Sequence, residues 1–220
     1  GDVPQTPLPL SFAAVKADGA ATLFIDRRKL TPGLDRHLGN QVTIEPPDRL
    51  GAALTALARE GSVQVDPASA ASWVFDRLAA AGAQIQRAAD PCLLPKACKN
   101  PVELDGTRAA HRRDGAAVTR FLAWLARTAP MGGLREIAAS DRLEAFRKEG
   151  DYFRDLSFPT ISGAGSNGPI VHYRATPESE KVLEPGSLYL LDSGAQYLDG
   201  TTDITRTIAI GEPTPEMREN

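Results

Sequence analysis

Residues 189–210 read YLLDSGAQYLDGTTDITRTIAI, and this stretch decides the fold class. An apolar run from Gly186 to Leu191 has strand composition and ends at Asp192. Ser193-Gly194-Ala195-Gln196 follows as a loop, Asp199-Gly200 signals a turn, and Thr201–Ile210 reads as a second strand. On that strand Ile204, Ile208 and Ile210 share one face, while Asp203, Thr205 and Thr207 share the other. The turn can bring Asp192, at the end of the first strand, close to Asp203. Two ionised carboxylates that converge repel each other, and burying either without a partner is costly. A shared divalent cation resolves both problems, and oxygen donors suit Mn²⁺, Mg²⁺ or Ca²⁺. Asp-Gly turns are common, however, and on spacing alone the two acids read more readily as ordinary turn and edge-strand residues than as metal ligands.

Upstream, Ser162–Pro169 is a glycine-rich loop without the Lys-Ser/Thr ending of a phosphate cradle. It leads into Ile170-Val171-His172-Tyr173, a short β-type run carrying one histidine. Two helices precede it. Pro101–Ala129, with Leu104, Val118, Leu122 and Leu125, is long and amphipathic, and Arg135–Gly150 carries Ile137, Leu143 and Phe146. The prolines of DPCLLPKACKNPVELDG mark a linker, which divides the chain near residue 100. The first hundred residues alternate strands (10–15, 21–25, 63–65, 85–87) with helices (49–58, 69–81), the pattern of a mixed sheet with helical cover. His37 and His111 lie in polar surroundings and read as surface residues.

Composition excludes several classes. A chain of 220 residues, 42% hydrophobic and 24% charged, is an ordinary globular protein rather than a disulfide-held miniprotein. A net charge of −3 argues against a nucleic-acid or membrane-surface footprint. No run approaches the roughly 20 apolar residues of a membrane span. Cys92 and Cys98 stand without a second Cys or His pair, so they read as structural thiols in a reducing, cytoplasmic compartment. Gly1 is not an initiator methionine, and Thr214-Pro215-Glu216 begins a helix that Asn220 ends after about one turn, so the chain reads as a piece of a longer protein.

Three stretches, YLLDSGAQYLDGTTDITRT, PKACKNPVELDGTRAAHRRDGAAVTRFLAWL and DLSFPTISGAGSNGPIVHY, together resemble aminopeptidase P of the three-domain type. These are the Xaa-Pro aminopeptidases of the creatinase-like "pita-bread" metallopeptidases. The resemblance implies an α/β (α+β) chain in two parts. Residues 1–100 would be a creatinase N-terminal-like middle domain whose start is missing. Residues 101–220 would open an incomplete pita-bread catalytic domain. It implies Asp192 as a ligand of one metal, Asp203 as a carboxylate bridging two, and His172 as a cleft histidine that positions substrate or stabilises the transition state. Asp199 matches no ligand position and reads as the turn residue. The family's other ligands, a histidine and two glutamates, would lie beyond Asn220.

The implied reaction is hydrolysis of the bond between an N-terminal residue and a following proline. The cofactors would be two divalent ions, typically Mn²⁺, and the partners a proline-containing peptide and, in a homodimer, a second copy of the full-length protein. The alternatives are an Xaa-Pro dipeptidase, the metal-free amidinohydrolase of creatinase itself, and a non-catalytic binding module. The last two predict eroded ligand aspartates, whereas Asp192 and Asp203 both stand. Truncation is also expected to uncover the face of Ile204, Ile208 and Ile210 and to leave the isolated chain inactive.

Overall fold

The computed structural model describes residues 2–219. The chain forms two compact units, Gly1–Cys98 and Lys99–Asn220.

In the first unit, β1 (Phe12–Val15) and β2 (Ala21–Phe24) form an antiparallel hairpin, and β3 (Val42–Glu45) adds parallel to β2. The β2–β3 crossover carries the short helix α1 (Leu34–Leu38). Helices α2 (Leu50–Leu57) and α3 (Ser72–Ala80) accompany a parallel pair, β4 (Ser62–Val65) and β5 (Gln84–Arg87). Leu50 and Leu54 of α2 lie one turn apart and meet Phe75 and Leu78 of α3, Phe24 and Val65 in a single core. Parallel pairing combined with a hairpin makes the unit mixed, as the sequence predicts. Strand β3 escapes the sequence pattern because Val42 and Ile44 are only two apolar residues in a polar run. Helix α4 (Leu93–Ala97) ends the unit, flanked by the exposed thiols Cys92 and Cys98.

The second unit begins with α5 (Pro101–Thr128), started by a capping box. Asn100 Oδ1 accepts from the Glu103 amide and Glu103 Oε2 accepts from the Asn100 amide, each at 2.9 Å, and Pro101 occupies the first turn, where no amide is needed. Helix α6 (Glu136–Lys148) follows. Val118, Phe121 and Leu125 of α5 and Ala139, Leu143 and Phe146 of α6 pack together against Ala164, Tyr189, Leu191 and Ile210. The strands form two small antiparallel sheets. One runs in the order β10 (Gly200–Thr201), β9 (Ala195–Tyr197), β6 (Phe153–Leu156), and the other β11 (Ile204–Ala209), β8 (Leu188–Ser193), β7 (Ile161–Ala164). Helix α7 (Pro215–Glu219) closes the described chain, its Met217 amide donating to the Thr214 hydroxyl.

Ser193–Gln196 is not a loop, since β8 runs to Ser193 and β9 begins at Ala195, and three further sequence expectations change. Thr201–Ile210 is not one strand: it breaks at Thr202-Asp203, where the chain leaves the β9 sheet and joins the β8 sheet. Ile170–Tyr173 is a turn rather than a β run, closed by the Tyr173 amide on the Ile170 carbonyl; the strand in this region is β7, just upstream. Third, the face of Ile204, Ile208 and Ile210 is not uncovered: Ile210 is buried, and Ile204 and Ile208 pack on the α5–α6 core. The alternation of that face was legible, but the element covering it is supplied by the chain's own helices.

Candidate metal centre

Two chain crossings meet at one level of the second unit. The first lies between β8 and β9, where only Gly194 separates the strands; the second is Thr202-Asp203, between β10 and β11. Asp192 lies just before the first crossing and Asp203 just at the second. In the β8–β11 ladder Ile204 pairs with Ser193 and Thr205 with Asp192, so Asp203 lies diagonally from Asp192 on the same side. The register therefore places the two carboxylates side by side on one face. Asp203 is exposed, yet its carboxyl is held above the ordinary carboxylate range, first by partial desolvation and then by the charge and hydrogen bonding of Asp192. Thr205 Oγ1 donates to Asp192 Oδ1 at 2.8 Å, which fixes the orientation of that carboxyl.

No ion pair answers either acid among the described residues. Nor does a third His, Cys, Asp or Glu join them there. Two facing carboxylates without a cation are under electrostatic strain, and oxygen donors of this kind fit a hard divalent ion.

Beneath the pair is a fully buried ion pair. Arg147 of α6 and Asp114 of α5 are both 0% exposed, with Nε to Oδ1 at 2.7 Å and Nη2 to Oδ2 at 3.1 Å. The Tyr197 hydroxyl donates to Oδ1 at 3.0 Å and the Thr202 hydroxyl to Oδ2 at 2.8 Å. Burial, followed by the Asp114 charge, pushes the Tyr197 hydroxyl well above its ordinary range, so it remains a donor. Asp199, read as the turn residue, does occupy the β9–β10 turn, and its carboxylate also pairs with Arg113 of α5.

His172 is placed apart. It is exposed, at φ 53°, in the turn that follows the glycine-rich segment, and no hydrogen bond joins it to either aspartate among the described residues. A non-glycine residue held in the left-handed region is strained, and such strain gathers at functional sites. The turn is anchored through its neighbour. Buried Glu136, in the first turn of α6, accepts from the Ala164 amide at 2.6 Å, Asn167 Nδ2 at 3.0 Å and the Tyr173 hydroxyl at 2.8 Å. The anion held by the glycine-rich segment is therefore the protein's own carboxylate, which also profits from the positive end of α6.

Sequence patterns carried little sign of these buried groups. Asp114 and Arg147 are separated by 33 residues, and each resembles any polar position on a helix. A charge on a helix face otherwise committed to the core was the only available signal.

Comparison with known proteins agrees with this architecture. Residues 105–220 match the model of metallopeptidase family M24, and residues 1–103 match that of the creatinase/prolidase N-terminal domain. The chain belongs to metallopeptidase family M24. Curated M24 relatives include the probable Xaa-Pro aminopeptidase P of Aspergillus clavatus, 40% identical over 97% of this chain and 34% of its own length. The probable Xaa-Pro aminopeptidase P of Paracoccidioides brasiliensis is 38% identical over 99% of this chain and 37% of its own length. The chain thus spans about a third of these relatives. Among solved structures, the X-prolyl aminopeptidase of Caenorhabditis elegans, a cytosolic enzyme with a di-nuclear active site, superposes with a TM-score of 0.86 at 30% identity. The match covers 98% of this chain and 36% of that one. The Xaa-Pro dipeptidase of Bacillus anthracis shares the fold, with a TM-score of 0.71 at 24% identity over 91% of this chain and 55% of its own. The M24 chain is thus a mixed α/β molecule in which a creatinase-type N-terminal domain precedes metallopeptidase sequence. No described helix is long and apolar enough to cross a membrane.

Proposed function

We propose that this M24 chain contributes two carboxylate ligands and a substrate-side histidine to a metal-dependent Xaa-Pro aminopeptidase. The full-length enzyme would release the N-terminal residue from peptides with proline in second position. The observation that carries this reading is the placing of Asp192 and Asp203 side by side on one face, with no basic side chain paired to either among the described residues. Asp192 would hold one divalent ion and Asp203 would bridge two, with Mn²⁺ as the expected metal. Bound there, the ions supply an activated water at neutral pH and polarise the scissile carbonyl.

The chain's own residues prepare that chemistry. Thr205 holds Asp192 in one orientation, and the ladder register keeps Asp203 on the same side. His172, on its strained turn, is the group free to donate a hydrogen bond to charge that develops on the substrate oxygen. A histidine and two further carboxylates are expected from the rest of the full-length enzyme, which would be cytoplasmic and homodimeric. The assignment to residues 1–100 of a middle domain, and to 101–220 of the first part of the catalytic domain, belongs to the same proposal.

The test is cleavage of an Xaa-Pro peptide by the full-length protein, before and after removal of metal with a chelator. Loss of turnover on chelation and its return with Mn²⁺ support the proposal. Turnover indifferent to chelation, or the absence of any Xaa-Pro cleavage in the metal-loaded protein, overturns it.

A further inference from the structure

The buried Asp114–Arg147 pair touches both crossings that carry the candidate ligands. Asp114 accepts four donors, two on each oxygen: Arg147 Nε and the Tyr197 hydroxyl on Oδ1, Arg147 Nη2 and the Thr202 hydroxyl on Oδ2. That fills the acceptor sites of an ionised carboxylate. Arg147 extends its remaining arm, with Nη1 at 3.5 Å from the Gly194 carbonyl oxygen.

Thr202, which immediately precedes Asp203, is held at every polar atom. Its amide donates to the Ala195 carbonyl at 2.9 Å, its carbonyl accepts from the Ser157 hydroxyl at 2.9 Å, and its hydroxyl accepts from the Ala195 amide at 3.0 Å while donating to Asp114. Gly194, two residues after Asp192, accepts from the Ser157 amide at 3.1 Å as well as from Arg147. A β-carbon on Gly194 would overlap the Thr202 carbonyl oxygen and the Ser157 hydroxyl, so the two crossings lie in direct contact. A buried ion pair is on average no more stabilising than apolar residues of the same volume. What it adds is direction, because each hydrogen bond fixes where a backbone segment runs.

We propose that Asp114, Arg147 and Thr202 are positioning residues that set the separation of Asp192 and Asp203 for a divalent-ion pair. The inference rests on the assignment of those two aspartates as ligands. Thr202 is the link through which the pair acts, since it joins the buried carboxylate to the backbone of Asp203. Tyr197 binds the same carboxylate but touches neither crossing through its side-chain bond, which makes it the matched control.

The experiment compares Mn²⁺ affinity, by calorimetric titration, in the full-length protein carrying Thr202→Val, Thr202→Ser, Tyr197→Phe or Asp203→Asn. Cooperative melting of each metal-free variant confirms its fold, and Thr202→Ala replaces the valine variant should that one not fold. Thr202→Val is expected to weaken Mn²⁺ binding at least about tenfold. Thr202→Ser, which keeps the hydroxyl, and Tyr197→Phe should remain within about threefold of wild type. Wild-type affinity in a folded Thr202→Val protein overturns the proposal. So does an equal loss in Tyr197→Phe and Thr202→Val, since the network would then act only through stability. Wild-type affinity in Asp203→Asn points elsewhere, because it removes the ligand assignment itself.

Discussion

Asp203 lies two positions before Thr205, and Thr205 is the ladder partner of Asp192, so the two acids are diagonal neighbours on one side of a two-strand junction. The separation follows from the backbone. Strand alternation places both side chains on the same face, and the hop of the chain between sheets at Thr202-Asp203 frees Asp203 from the ladder. Strand breaks that re-aim a side chain are a recurring device next to active sites.

Stability of the metal-free protein should depend on pH through this pair. The Asp203 carboxyl binds its proton more tightly when folded than its ordinary value of 3.8 allows. Its contribution is therefore fully present below the unfolded carboxylate pKa and is lost as pH rises through the raised folded value. Asp203→Asn should remove that loss. The melting temperature of the variant relative to wild type is expected to climb as pH rises above the ordinary carboxylate value of 3.8. Added Mn²⁺ should raise the wild-type melting temperature more than the variant's. A difference that is flat in pH would show that the two carboxyls do not interact.

Gly194→Ala should damage the junction severely. The added methyl has no room beside the Thr202 carbonyl and the Ser157 hydroxyl, both of which are backbone-fixed or hydrogen-bonded. Overpacking of this kind costs about 1–3 kcal/mol and displaces backbone. Urea denaturation should show that loss, together with weakened metal binding; full stability would mean that the crossings can separate freely.

Arg147→Met should cost about 3–5 kcal/mol, the usual consequence of leaving a buried charge unpaired. Asp114 would keep its two hydroxyl donors but lose the cation. Equilibrium unfolding of the full-length protein checks it, and a change below about 1 kcal/mol would indicate that water enters the site and solvates the acid.

His172→Ala should behave in the opposite manner. The side chain is exposed and carries no hydrogen bond among those of the described residues, so stability should change by less than about 0.5 kcal/mol. Turnover of an Xaa-Pro peptide should fall strongly at unchanged metal content. Near-normal turnover would return His172 to the surface class of His37 and His111.

Much of this molecule is written in local pattern. Leu50 and Leu54 mark α2, Val118 and Leu125 mark the core face of α5, and the alternation of Ile204, Ile208 and Ile210 marks β11 and its end, whereas Leu104, read on the same helix face, is exposed and Phe121 escapes the reading. The approach of Asp192 and Asp203 is expected from the turn between them, but spacing alone leaves them readable as ordinary turn and strand residues, and their reading as ligands comes from the resemblance to aminopeptidase P. Asp114, Arg147 and Glu136 were not legible, since their partners lie dozens of residues away and a buried charge has the same letter as an exposed one. The break at Thr202-Asp203 was hidden because Thr and Ile favour strands on both sides of it, and tertiary bonds from Ser157 and Asp114 impose the change of sheet.

The central claim is that Asp192 and Asp203 hold metal, and elemental analysis of the full-length protein tests it most directly. Wild type, Asp192→Asn and Asp203→Asn would be purified in Mn²⁺ and checked for cooperative melting. The account predicts two ions per chain in wild type and a loss of metal in each folded variant, more complete for the bridging Asp203. Wild-type stoichiometry in a folded Asp203→Asn protein would contradict it.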